Sequence, residues 1–261
     1  MTPTIYIHSQ LMDFSAPKIM GIMNATPDSF AVHCSVSDQS ALLAYARTLI
    51  DGGADIIDIG ACSTRPGAAV VDMEEEWNRL KVALATVKSA YPQIPISIDT
   101  FRAEIVRRAY ADFGIDMVND VSGLADEAML PTLQQISVPY ILTHPRGEGM
   151  LSFFSYQLDR LHQAGVADVI IDPGLGFGKT LSQNYTILRE IDQLHLLACP
   201  IIVGLSRKSM IYNTLGVTAQ EALNGTTAAH MAALRGGVHL LRVHDVREAK
   251  QAIQIYTTIY G

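Results

Sequence analysis

The stretch "KIMGIMNATPDSF", Lys18 to Phe30, decides the fold class. It opens as an apolar run, Ile19 to Met23, and breaks at Asn24 into Thr26, Pro27, Asp28 and Ser29. A strand that is apolar throughout, with no polar alternation, is buried on both faces, the condition of a parallel sheet covered by helices. Its polar end then faces a loop, where such folds place chemistry.

Seven further runs of the same kind follow: "DIIDIG", "PISIDT", "MVNDV", "PYILTH", "VIIDPG", "PIIVGLS" and "VHLLRVHD". The segments between them carry helical spacing. From Met73 to Tyr91, for example, Trp77, Leu80, Leu84 and Val87 recur three or four apart, which predicts one buried stripe. Glu74, Glu75 and Glu76 sit in that helix's first turn, where they suit the dipole, and are read as a solvated face. Eight strand–helix repeats predict a closed (β/α)8 barrel, a TIM barrel, and 261 residues match the roughly 250 that one such barrel needs. No linker or low-complexity tract divides the chain, so residues 1–261 read as a single domain. The longest irregular stretches, Asp28 to Asp38, Ala61 to Asp72 and His144 to Met150, all follow strands and fall on the carboxyl face where barrels build sites.

Composition narrows the partners. A net charge of −7 argues against a nucleic-acid or anionic-membrane surface, which needs a basic face. No window reaches the roughly 18 uncharged apolar residues of a membrane span, and the N-terminus lacks the basic-then-apolar order of a secretory signal. Cys34, Cys62 and Cys199 form no C-x-x-C pair and leave an odd count, as expected of free thiols in a reducing cytoplasm, with Cys199 in the core. Cys34 and Cys62 fall in loops, where an exposed thiol is open to oxidation.

The strand ends carry, in order, Asn24, Asp58, Asp99, Asn119, His144, Asp172, the group Ser206-Arg207-Lys208-Ser209, and the group Arg242, His244 and Asp245. Any one of the Asp, Asn or Ser residues has a bland explanation as a helix cap. Capping does not explain Arg207, Lys208, Arg242 and His244 on the same face, so the ring reads as a site. Asp99, Asn119 and Asp172 suit the donor and acceptor edge of a flat amino-pyrimidinone, and Arg65, Lys208, Arg242 and His244 suit phosphate oxygens. The glycine-rich "DPGLGFGKT", Asp172 to Thr180, has Pro173 where a nucleotide P-loop requires glycine and is a loop that brings backbone close to a ligand, with Phe177 offering an aromatic face. His144 and His244 lack zinc-ligand spacing, and His162, His195, His230 and His239 read as structural or surface residues.

"GIMNATPDSF", "DIGACSTRPGA", "SIDT", "VNDVSG", "DPGLGFGKT", "GLSRKSMI" and "NGTTAAHMAALRGGVHLLRVHDV", in that order across about residues 18 to 253, resemble the dihydropteroate synthases of folate biosynthesis. The resemblance implies an enzyme that couples dihydropterin pyrophosphate to p-aminobenzoate with loss of pyrophosphate, assisted by Mg²⁺, as a homodimer. It implies catalytic roles for Asp99, Lys208, Arg242 and His244. Asp99, Asn119, Asp172 and Lys208 would bind the pterin, and Asn24, Arg65, Arg242 and His244 the pyrophosphate, with Asn24 also placing the metal. Phe30, Thr64, Arg65, Pro66, Phe177, Lys208 and Ser209 would hold p-aminobenzoate. The other readings are a catalytically silent pterin-binding barrel and a methyltetrahydrofolate:corrinoid methyltransferase-type barrel, which would not need the anion groups. Three departures from the family pattern stand out: Ala31 to Cys34 in place of a glycine-containing Ser-Asp-Gly-Gly, Ala61-Cys62 in place of Gly-Glu, and Thr143-His144-Pro145 in place of Met-His-Met. The first is expected to stiffen a lid, the second to remove a charge from the next loop, and the third to change the pterin pocket's floor.

Overall fold

The structure, a computed structural model, describes residues 3–7, 10–25, 39–62, 71–146 and 149–261. Its elements run β1 (Thr4–Ile7), β2 (Gln10–Asp13), β3 (Lys18–Asn24), α1 (Gln39–Asp51), β4 (Ile56–Gly60), α2 (Met73–Ala90), β5 (Ile96–Asp99), α3 (Ala103–Phe113), β6 (Met117–Asp120) and α4 (Met129–Ile136). They continue β7 (Tyr140–Thr143), α5 (Met150–Gln163), β8 (Val169–Asp172), α6 (Leu181–Arg189), β9 (Ile202–Gly204), α7 (Ser209–Leu215), α8 (Leu223–Arg235), β10 (Leu240–Val243) and α9 (Val246–Tyr260). Strands β3 to β10 form one parallel sheet in the order β8-β7-β6-β5-β4-β3-β10-β9. A parallel bridge between Ile171 and Ile201 joins its two ends and closes the (β/α)8 barrel. All eight apolar runs are barrel strands.

The runs conceal a period of two, because both faces are buried. Ile57, Ile59, Val118, Leu142, Ile171, Val203 and Leu241 pack outward in the large core shared with the helices, while Met20, Ile56, Met117, Ile141, Ile170, Ile202 and Leu240 form a separate inner cluster. Two residues further along six of these inward rows the side chain turns polar or vanishes: Asp58 after Ile56, Asn119 after Met117, Thr143 after Ile141, Asp172 after Ile170, Gly204 after Ile202, Arg242 after Leu240; on β3 Ile22 follows Met20 and the polar group, Asn24, comes two residues later. The barrel interior is thus apolar at its amino end and polar at its carboxyl end.

The amino end is plugged by a hairpin that the sequence reading did not anticipate. β1 and β2 pair antiparallel, from Thr4 opposite Asp13 to Ile7 opposite Gln10. Ile5, Ile7 and Phe14 complete the inner cluster. Beside the plug, His239 Nδ1 accepts the Ile201 N–H at 3.0 Å. Burial lowers its pKa to about 4, and burial does the same to His230 on α8. A histidine depressed in the folded state stabilises fully above its unfolded pKa near 6.5 and loses that contribution as pH falls toward 4. For His230, which is almost wholly buried, the loss is roughly 3 kcal/mol. We therefore expect the urea midpoint to fall steadily between pH 7 and pH 4.5; a flat midpoint over that range would remove both histidines from the acid response.

One sequence expectation is overturned in α2. Glu74 and Glu75 are exposed and pair with Arg108 and Arg79, but Glu76 is fully buried. Its carboxylate accepts the Thr100 hydroxyl at 2.6 Å and pairs with Arg102, whose other nitrogen donates to the Val71 carbonyl at 2.7 Å. Glu76 stands four residues before Leu80 on the buried stripe, so helical spacing overrides the run of like charges. Glu76→Ala would leave the half-buried Arg102 guanidinium and the buried Thr100 hydroxyl without their partner and is expected to cost about 2–3 kcal/mol in chemical unfolding, against less than about 0.5 kcal/mol for Glu74→Ala. Equal effects would refute the assignment. Cys199 is half-buried rather than core, its thiol pushed up to about 11 by burial, and Cys62 is buried rather than exposed. Cys34 lies outside the described residues.

Candidate active site

The polar half of the barrel interior assembles most of the strand-end residues into one charged network. Arg242 on β10 donates through Nε to Asp58 Oδ2 at 2.7 Å and through Nη2 to Asp99 Oδ2 at 2.6 Å. Asn119 on β6 donates to the same Asp58 oxygen at 3.0 Å. Register places these groups side by side around the wall: Asp58 pairs with Ser97, Asp99 with Asn119, Thr143 with Asp172, and Arg242 with Gly204. Burial pushes the Asp99 carboxyl upward, the Arg242 guanidinium opposing it and Asp58 adding repulsion.

Asp172 at the end of β8 is likewise raised by burial, with Lys208 the strongest opposing charge, and its Oδ1 accepts the Gly174 N–H at 2.7 Å. Lys208, just before α7, donates to the Leu175 carbonyl and lies 4.7 Å from the centre of the Phe177 ring. Burial lowers its pKa to about 8, the Asp172 carboxylate working against the shift. His244 stands just past β10, half-buried, its backbone N–H donated to Ser206 Oγ at 3.1 Å. Ser209 opens α7 and is exposed, and Asn24 closes β3, in register with Gly60.

Four buried oxygens of this inner face, Asp58 Oδ1, Ser97 Oγ, Asp99 Oδ1 and Thr143 Oγ1, have no hydrogen-bond partner among the described residues. Buried polar atoms are nearly always satisfied, so a concentration of exceptions marks a surface shaped for a polar ligand. The Thr143 hydroxyl is one of the family-pattern departures read from the sequence.

Two ring members do not join the site. Arg207 and Asp245 form a two-pronged pair with each other at 2.9 Å for both contacts, and Arg207 also donates to the Gln220 carbonyl. They brace the rim instead of facing a ligand. Asp58, unassigned in the sequence reading, proves central; its inward position two residues after Ile56 was the available clue. Phe30, Thr64, Arg65 and Pro66, together with the changed stretch Ala31 to Cys34, lie outside the described residues. Ala61 and Cys62, the second departure, are buried, and the Ala61 carbonyl accepts from Arg79 at 3.3 Å.

The family described as pterin binding enzyme matches residues 20–244. Dihydropteroate synthase of Escherichia coli (strain K12) is 35% identical over 271 residues, covering 96% of this chain and 94% of that relative. The structure of Xanthomonas albilineans dihydropteroate synthase with 4-aminobenzoic acid superposes at a TM-score of 0.91 with 33% identity, covering 99% of this chain and 98% of the other. That of a Coxiella burnetii dihydropteroate synthase in complex with pteroic acid gives 0.89 and 31%, with coverage of 99% and 98%. Sequence and architecture agree over nearly the whole length, and the chain belongs to the pterin-binding enzymes, as a dihydropteroate synthase of folate biosynthesis.

Proposed function

We propose that the network around Arg242 is the pterin and pyrophosphate site, and that the reaction is displacement of pyrophosphate from the dihydropterin methylene carbon by the amine of p-aminobenzoate. The observation that carries this is the set of buried, unpartnered carboxylate and hydroxyl oxygens beside Asn119 and Asp172. An amino-pyrimidinone edge offers parallel N–H donors, and ionised carboxylates accept such pairs with little reorganisation. Asp99, Asn119 and Asp172 recognise the ring. Lys208 reaches the ring from the α7 side, and Arg242 and His244 face the leaving group.

The protein has no need of a nucleophile, because the methylene C–O bond breaks to leave a cation stabilised by the pterin. The carboxylates beneath the ring favour that charge, and Arg242 and His244 favour the charge departing with pyrophosphate. The amine lone pair forms the C–N bond, and the proton it sheds leaves with solvent or pyrophosphate. Phe177, Lys208 and Ser209, with Phe30, Thr64, Arg65 and Pro66, hold p-aminobenzoate in line, and positioning of this kind contributes several kcal/mol.

Among the described residues no cluster of three or more His, Cys, Asp or Glu side chains could hold a metal. Asn24 supplies one neutral oxygen at the strand end, which fits Mg²⁺, an ion that keeps its waters and binds mainly through substrate phosphates. When bound, Mg²⁺ would neutralise charge on the departing pyrophosphate. The assembly we propose is a homodimer, supported by the apolar groove of Leu188, Ile211, Leu215 and Ala229 between α6, α7 and α8. No helix of the described residues is long and apolar enough to cross a membrane. The location we propose is the cytoplasm, supported by the free thiols of Cys62 and Cys199.

Purified protein given dihydropterin pyrophosphate, p-aminobenzoate and Mg²⁺ should form dihydropteroate and pyrophosphate in equal amounts. Pyrophosphate alone would mean that water intercepts the cation. Neither product, with pterin still bound, would leave a silent barrel.

A further inference from the structure

Lys179 makes three hydrogen bonds, the full complement of an ammonium group, and all three go to backbone carbonyls. Nζ donates to His144 O at 2.9 Å, Gly174 O at 2.9 Å and Phe177 O at 3.0 Å. His144 belongs to the end of β7, whereas Gly174 and Phe177 belong to the loop between β8 and α6. One side chain therefore ties that loop to the neighbouring strand end, and it keeps no donor for a ligand. The approach is close: Gly174 has φ +65°, and a Cβ there would fall 2.3 Å from the His144 carbonyl oxygen, so only glycine permits it.

The far side of the same loop is held by Asn184 of α6. Its Oδ1 accepts the Gly176 N–H at 2.6 Å, and its Nδ2 donates to Thr180 O at 2.8 Å. Asn184 is itself buried. Clamped from both sides, the loop presents the Leu175 carbonyl and the Phe177 ring to Lys208. Of the pterin-facing groups, Asp58, Asp99 and Asn119 come from β-strands and bond to no atom of this loop, whereas Asp172, at a strand end, accepts the Gly174 N–H and Lys208, just before α7, donates to the Leu175 carbonyl.

We propose that Lys179 is a positioning residue for the acceptor half of the reaction: by fastening the 173–178 loop to the end of β7 it sets Phe177 where p-aminobenzoate docks. This rests on the assignment of the acceptor site to Phe177. It separates the two substrates by degree, because loosening the loop harms acceptor binding directly and reaches the pterin pocket only through the Gly174–Asp172 and Leu175–Lys208 contacts. Misplacement of a binding group by about an ångström is enough for a loss of tenfold or more.

The test compares Lys179→Met and Phe177→Ala with the unaltered enzyme, measuring KM for each substrate, kcat and the thermal midpoint. We expect Lys179→Met to raise the KM for p-aminobenzoate at least about tenfold, with kcat and the KM for dihydropterin pyrophosphate each changed less than about threefold. An unchanged acceptor KM, or equal rises in both KM values, overturns the proposal. If Phe177→Ala raises the acceptor KM while Lys179→Met does not, the clamp alone fails; if Phe177→Ala leaves it unchanged, the acceptor assignment fails and the clamp falls with it. Should Lys179→Met not fold, Lys179→Gln, whose amide keeps donors for two of the three carbonyls, is held to the same criteria.

Discussion

Lys208→Ala is expected to lower kcat at least about a hundredfold, the loss typical of removing one preorganised electrostatic group, while the barrel stays folded. Both halves of that expectation come from how the side chain is placed. Its stem runs past two glycines, with Cδ 3.3 Å from the point a Gly176 Cβ would occupy and Cε 3.9 Å from the corresponding point at Gly204. Room has been left for a long side chain to reach the interior, where its ammonium meets the Leu175 carbonyl, the Phe177 ring and the field of Asp172.

Lys208 makes no side-chain cap to α7, so helix formation does not depend on it. Burial lowers its pKa to about 8, which fixes the sign of the stability effect. The unfolded chain holds this proton more tightly, so the folded state is penalised below pH 8 and recovers as pH rises toward the unfolded value near 10.5. Removing the lysine removes that penalty but also takes away the strongest charge opposing the burial of Asp172, so the two effects offset and Lys208→Ala should remain folded at pH 7. At pH 7 about nine in ten molecules carry the charge, and the rate should fall above pH 8 as it is lost. Lys208→Arg, which cannot neutralise, should lose that alkaline limb even if it is slower. Near-parental kcat in Lys208→Ala, measured at saturating concentrations of both substrates, would take Lys208 out of the chemistry.

The barrel was legible because each strand is apolar on both faces, a pattern that few other folds impose on eight successive short runs. The positions of Asp99, Asn119 and Asp172 at the carboxyl ends of strands are legible because they end such runs. Their partners were harder to read. Arg242 and Asp58 are 184 residues apart, and nothing local says that the arginine turns to a carboxylate on β4. By the same token Arg207 and Arg242 look alike in sequence, yet one braces Asp245 and the other sits between two buried carboxylates. The hairpin plug was missed because its strands are only four residues each, and β2 buries none of its residues fully. The burial of Glu76 is not legible in the run of three glutamates, only in the helical spacing that puts it on the Leu80 face.

Arg242→Ala should be the most damaging substitution in the interior, because it removes both the contact proposed for the leaving group and the counter-ion of Asp58 and Asp99. Stranding buried charge in this way costs about 3–5 kcal/mol, and turnover should drop at least about a hundredfold as well. The stability loss should depend on pH in a defined direction. In the parent, burial already raises the Asp99 carboxyl and Arg242 is the main group opposing it. Without Arg242 the rise is larger. A carboxyl raised in the folded state keeps its proton when the unfolded chain, near pH 4, has released its own, so stability declines as pH climbs through that window. The gap between Arg242→Ala and the parent should therefore be small at pH 4.5 and large at pH 8. Adding Asp58→Asn to Arg242→Ala removes one stranded charge while the new amide can still accept from Asn119, and should recover part of the lost stability without restoring turnover. Urea unfolding of the parent, Arg242→Ala, Asp58→Asn and the double variant at the two pH values closes the cycle and isolates the coupling. A gap that is the same at both pH values, or no recovery in the double variant, would mean that the arginine's interior contacts are not what holds these carboxylates in the fold.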